Sequence, residues 1–152
     1  MARGRHRRTE PDFLTSIVLL LGRTMWLLVS WPIRALFGRR SAVLDQQYYR
    51  EHWEIIAHDL LSEDQQHMKQ AILDADKLFD HAMRAQNLPG STFADRLRAG
   101  QRRMSAETYQ MIWEGHKLRN QVAHEVGYSV TKAESEAAAR SFRRGLQALG
   151  AL

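Results

Sequence analysis

Met68, Ala71, Ile72, Ala75, Leu78, Phe79, Ala82 and Met83 recur at steps of three and four residues, and no other pattern in the chain leaves so little choice of fold. Steps of this size return side chains to one side of a 3.6-residue helix over four turns. A helix with so broad an apolar stripe must bury it against other helices. The segments on either side have the same period. Leu44, Tyr48, Tyr49, Trp53, Ile56, Ala57 and Leu60 predict an amphipathic helix before it, and Ala137, Phe142, Leu146 and Leu149 a last core helix. No strand pattern, phosphate-binding loop or internal repeat breaks the series. The expected fold class is all-α, a helical bundle preceded by one N-terminal hydrophobic helix.

The breaks carry caps and stops. Ser62 ahead of Glu63, Asp64 and Gln65 is expected to cap the central helix, and Asn87-Leu88-Pro89-Gly90 to end it. Ser91 or Thr92 then caps a short helix to Gly100, with Phe93 and Leu97 folding it back onto the core. Ser105 caps the next helix, on which Tyr109, Ile112, Trp113, Leu118 and Val122 are expected to bury one side. Gly115 within that helix costs about 1 kcal/mol relative to alanine, so it is read as a point of close approach by another helix or subunit. Gly127 ends the helix, and Thr131 with Glu134 forms a capping box for the last one.

Charge divides the chain. Lys and Arg number 22 against 17 Asp and Glu, net +5. Residues 1–40 hold eight arginines against Glu10 and Asp12, net +6, which leaves 14 basic and 15 acidic residues after them, net −1. The helical part is therefore not a broadly basic nucleic-acid surface. With no cysteine, disulfides and thiolate metal sites are excluded.

The N-terminal segments give the expected domain plan. Residues 1–12, with Arg3, Arg5, Arg7 and Arg8 and no apolar period, are expected to be a disordered basic flank of a membrane segment, or a basic arm touching RNA or DNA. Residues 13–40 are read as a hydrophobic membrane-anchoring helix, with residues 13–37 meeting the bilayer. Between Phe13 and Trp31, ten Leu, Ile, Val or Phe residues contribute roughly −0.3 to −0.6 kcal/mol each against roughly +3 for the central Arg23, so spanning is near neutral. Asp12, Ser16, Arg23, Ser30 and Arg34 share a narrow sector, which suits a helix lying in the interface. Pro32 should kink or restart it. A cleaved signal peptide is disfavoured because no small-x-small pattern follows. Residues 41–62 are the amphipathic connecting helix and 63–152 the bundle, expected to face the cytoplasm.

The densest run of chemical side chains is Trp113 to Glu125, reading Trp-Glu-Gly-His-Lys-Leu-Arg-Asn-Gln-Val-Ala-His-Glu. On a helix, His116, Asn120 and His124 form a polar stripe, with Arg119 on its flank and Trp113 one turn earlier. A polar stripe faces a partner subunit, a ligand, water or buried hydrogen-bonding groups. His116 and His124 lie about 12 Å apart along the axis, too far to share a zinc ion, and no metal or cofactor is expected. This stretch resembles the signature of the HEPN superfamily, in which an Arg, usually followed by a polar residue, precedes a His by four to six positions. Here these are Arg119, Asn120 and His124, and the resemblance covers roughly Gln65 to Leu149.

The resemblance implies a small helical domain in which two such motifs commonly meet across a symmetric dimer through the motif helix, with metal-independent RNA cleavage where the motif is catalytic and no catalysis in many members. RNA cleavage through its own 2′-hydroxyl needs a group that moves protons and a cation that stabilises the pentacoordinate phosphate. His124 is the candidate for the first, Arg119 for the second, and Asn120 for orienting the hydroxyl or the imidazole. His116, Trp113 and Glu125 are supporting candidates. Arg96, Arg98, Arg102 and Arg103 form either a solvated loop or a phosphate-contacting edge. The bland alternative ties Asn120 and His124 to nearby loops and pairs Arg119 with Asp76 or Glu125. Asp80 beside His81 is read as a solvated face or a partner for Arg119 rather than a catalytic pair. Two classes stay open: a membrane-tethered RNA-processing enzyme, and a non-catalytic membrane-tethered interaction or scaffold module.

Overall fold

The computed structural model describes residues 43–152, and the expectations for the basic flank and the anchoring helix lie outside them. Five α-helices follow one another: α1 Gln46–Leu61, α2 Gln65–Ala85, α3 Phe93–Gly100, α4 Ala106–His124 and α5 Lys132–Ala148, with a 3-10 turn Gln101–Arg103 between α3 and α4. Among the described residues there is no strand. No helix among them is long and apolar enough to cross a membrane. α2 is the centre, packing on all four other helices, while α4 and α5 pack closely on each other. All eight apolar residues of its stripe are buried, as the period requires.

Local chemistry sets the ends. Asp64, not Ser62, is the N-cap of α2: its carboxylate accepts from the backbone N–H groups of Gln66 and His67 at 2.8 and 3.3 Å. Ser62 instead closes α1, and its hydroxyl accepts from the Asp64 N–H at 3.1 Å. The Lys132 ammonium donates to the carbonyls of Leu60 and Ser62, placing a cation at the C-terminus of α1 where the helix dipole favours one. Gln65 joins α2 to the loop before α5 with a two-way amide pairing, donating to Val130 O at 2.8 Å and accepting from Val130 N at 2.9 Å.

Thr92 and Thr131 both form capping boxes. At the second, the Glu134 carboxylate accepts from Thr131 N at 2.8 Å, and these bonds hold its pKa below the usual glutamate range. The lowered folded value means that this contribution is full above the usual range and is lost as pH falls through the folded one. Thr131→Ala should cost about 1 kcal/mol at neutral pH. Urea unfolding at neutral and strongly acidic pH should show a smaller difference between variant and parent in acid; a difference that grew in acid would contradict the cap.

Two expectations about the later helices change. Of α4 only Ile112 and Gly115 are buried, while Tyr109, Trp113, Leu118 and Val122 are half-buried. Trp113 and Leu118 stand about 140° apart on a helix, so these residues cannot share one face. On α5, Ala138 and Ala139 rather than Ala137 enter the core, with Phe142, Leu146 and, at the C-cap, Leu149. Gly115 is a point of close approach within the chain: a Cβ there would lie 2.5 Å from Ser141 Oγ and 3.2 Å from the Phe142 ring.

Candidate functional site

One buried carboxylate joins the central helix to the motif helix. Asp76, whose side chain is 6% exposed, faces α4 from within the core sector of α2. The His116 Nδ1–H donates to Asp76 Oδ1 at 2.6 Å, since an ionised carboxylate can only accept. Arg119 Nε lies 3.4 Å from the other carboxylate oxygen and is buried without a hydrogen bond, so charge rather than a directed bond holds it. Arg119 Nη1 donates to Asn120 Oδ1 at 3.0 Å. Asp76, His116, Arg119 and Asn120 thus form one connected network.

Aromatic packing fixes the imidazole further. The His116 ring stacks on Phe93 of α3, with centroids 3.8 Å apart and planes 2° from parallel. Trp113 meets His116 edge to face at 6.5 Å, and the Arg98 guanidinium lies over Trp113 at 5.4 Å. His116 Nε2 has no partner among the described residues, yet it is not among the buried unsatisfied atoms, so it reaches solvent. The same holds for Arg119 Nη2 and the Asn120 amide nitrogen. An open groove runs along α4 past Trp113, His116, Lys117, Asn120, His124 and Glu125.

His124 is the last residue of α4 and is exposed, as is Glu125, the C-cap. Five residues of helix turn the chain by about 140° between Arg119 and His124, so in one copy they do not address a common point. Of the two acidic partners open to Arg119, the structure supplies Asp76, and Glu125 stays at the surface.

The four arginines of the expected basic edge separate. Arg96 is a correction: its side chain is 6% exposed and clasps Asp80 through Nε and Nη2 at 2.8 and 2.9 Å, while Nη1 donates to Gly90 O. Asp80 lies one turn beyond Asp76 on α2 and faces α3, so the part-buried pair ties these helices together and occupies the Arg96 cation. Arg103 donates to Gln86 Oε1 at 2.8 Å. Arg98 and Arg102 remain exposed, Arg98 beside Asp95 at 3.3 Å.

Asp80 and His81 also part company. Burial pushes the Tyr49 hydroxyl up to about 12, so it stays protonated and donates to His81 Nδ1 at 2.9 Å. Asp80 meanwhile takes Arg84 and Arg96. Among the described residues no group of three or more His, Asp or Glu side chains could hold a metal ion.

Two of these features are weakly marked or unmarked in the sequence. From the sequence His116 is only a supporting candidate and Asp76 only one of two acidic partners for Arg119, although Asp76 is one turn from Ile72 and seven residues before Met83, at the edge of the apolar stripe. That position was a usable signal. The burial of Arg96 had none, because it depends on Asp80 from another helix. No family model matches this chain, and no curated protein or solved structure matches it.

Proposed function

We propose that residues 63–152 are a HEPN-like module that handles RNA as a dimer paired through α4, by metal-independent cleavage, and that residues 13–37 tether it to the cytoplasmic membrane with the bundle facing the cytoplasm. One observation carries the reading: a buried carboxylate positions Arg119 and His116 while Arg119 Nη2, His116 Nε2 and the Asn120 amide stay unburied, and His116 and Asn120 line the α4 groove that ends at exposed His124. Arg119 Nη2 is the donor for the charged phosphorane, Asn120 orients the 2′-hydroxyl, and His124 moves a proton. Because Arg119 and His124 point about 140° apart, a complete site takes the arginine of one copy and the histidine of the other.

The test uses the full-length chain in detergent with mixed RNAs. His124→Ala should reduce cleavage about 100-fold or more with stability within about 0.5 kcal/mol of the parent, since the residue is exposed and unpartnered at the helix end. Arg119→Ala should reduce it comparably and keep its helicity, because Asp76 retains His116. Cleavage that survives His124→Ala removes the assigned proton transfer.

A second reading, a non-catalytic interaction module, is favoured by charge. The residues after position 40 net −1, and Glu114 and Glu125 both line the α4 groove. Under that reading no variant cleaves RNA, and Asn120→Ala weakens dimerisation without lowering the melting temperature.

A further inference from the structure

The geometry points to His116, outside the Arg119-to-His124 motif, as a proton-accepting catalytic residue positioned by Asp76, acting on a hydroxyl beside a phosphodiester. The inference rests on the RNA-handling reading. Three features single out this imidazole. Asp76 Oδ1 takes the proton-bearing Nδ1 at 2.6 Å, which leaves Nε2 as the nitrogen with a free lone pair. The face-to-face contact with Phe93 at 3.8 Å holds the ring plane. His116 lines the α4 groove, with Nε2 unburied, Asn120 one turn on and Trp113 also in the wall. A carboxylate that orients one imidazole nitrogen and leaves the other bare toward a groove builds a base, and a histidine serving only as a core hydrogen-bond partner would not need its second nitrogen exposed.

The two histidines then divide the chemistry. The 2′-hydroxyl proton passes to Nε2 of His116, the 2′-oxygen bonds to phosphorus, and the bond from phosphorus to the 5′-oxygen breaks. The departing oxygen takes its proton from the far side of the phosphorus, the role of protonated His124. The products are a 2′,3′-cyclic phosphate and a 5′-hydroxyl, with no net gain or loss of protons. Eight residues, about 12 Å along α4, separate the histidines, which places the acid on the paired copy.

The deciding experiment combines two measurements on the full-length chain. Nitrogen-15 spectra of the seven histidines, with the His116 resonances identified by their loss in His116→Gln, should show His116 protonated at Nδ1 and bare at Nε2 in the resting protein. His116→Gln, which keeps an amide donor for Asp76, should lose at least about 100-fold in cleavage rate and lose the acidic limb of the pH–rate profile, which a purely structural change would leave in place. A proton on Nε2 overturns the inference, as does cleavage by His116→Gln at the parental rate while His124→Ala is inactive; that second outcome spares the RNA reading. No cleavage by the unaltered chain sinks the RNA reading and the base role with it. If His116→Gln melts early, the tautomer still decides, because it is read on the unaltered protein.

Discussion

Asp76→Ala is expected to lower the stability of the helical domain by about 3 kcal/mol, read as a shift in the urea midpoint by circular dichroism. The carboxylate is 6% exposed and serves two partners, so its loss acts twice. His116 Nδ1 loses its acceptor, and Arg119 Nε, already buried without a hydrogen bond, loses its only counter-charge among the described residues. An unsatisfied buried donor costs about 1–3 kcal/mol and an uncompensated buried charge more. The arginine side chain is 27% exposed and its outer nitrogen stays hydrated, which keeps the effect at the lower end for a broken buried pair. Glu125→Ala, which removes an exposed carboxylate near the same helix end, should stay within about 0.5 kcal/mol. A double cycle of Asp76→Ala with Arg119→Ala should show the two losses overlapping by at least about 1 kcal/mol, since removing the arginine also removes the stranded charge. Additive losses, or an Asp76→Ala midpoint equal to the parent's, would show that the network does not hold α4 to α2.

The Asp76 network also marks where reading the sequence stops. The stripe on α2 was legible residue by residue because burial there follows from period alone, and Ser105, Thr92 and Thr131 were legible as caps because a cap is decided within four residues. Gly115 was legible as a close approach, although only the structure identifies α5 as the neighbour. α4 was misread where it matters most. Its apolar residues are spread around the helix, so counting them does not reveal which arc is buried, and the arc holding Ile112, Gly115 and Arg119 is set by α2 and α5. The pairings of Arg96 with Asp80 and of Tyr49 with His81 join residues 16 and 32 positions apart. No local rule selects one such partner from several acidic or aromatic residues. The motif residues themselves were named from the sequence, but their mutual direction was not. Arg119 turns into the bundle and His124 out of it, and this divergence is what makes a second copy necessary to the proposed chemistry.

Gly145→Ala is expected to destabilise the domain by about 2 kcal/mol, against the direction that helix propensity alone would give. Gly145 lies in the interior of α5, where alanine is worth about 1 kcal/mol more than glycine in an unpacked helix. Its position within the bundle reverses that preference. A Cβ there would sit 2.5 Å from Phe79 Cε2 and 2.8 Å from Ile112 Cδ1, and both side chains are fully buried. Neither is the free end of a flexible chain. The Phe79 ring is packed against Phe93 and Phe142, so moving it disturbs the contact among α2, α3 and α5. Overpacking costs about 1–3 kcal/mol, and contacts this short against fully buried side chains put it at the upper end, about 2 kcal/mol beyond the propensity gain. Gly115→Ala should be milder, because the nearest atom there is the Ser141 hydroxyl, which can rotate at the cost of its bond to Ala138 O, and the ring beyond it is 3.2 Å away. Phe79→Leu introduced together with Gly145→Ala should recover part of the loss, since it removes the closest ring carbons. Denaturant midpoints for the three variants decide the matter. If Gly145→Ala proved more stable than the parent, α5 would have room to move away from α2 and α4, and the tight three-helix contact would not be what keeps the motif helix in place.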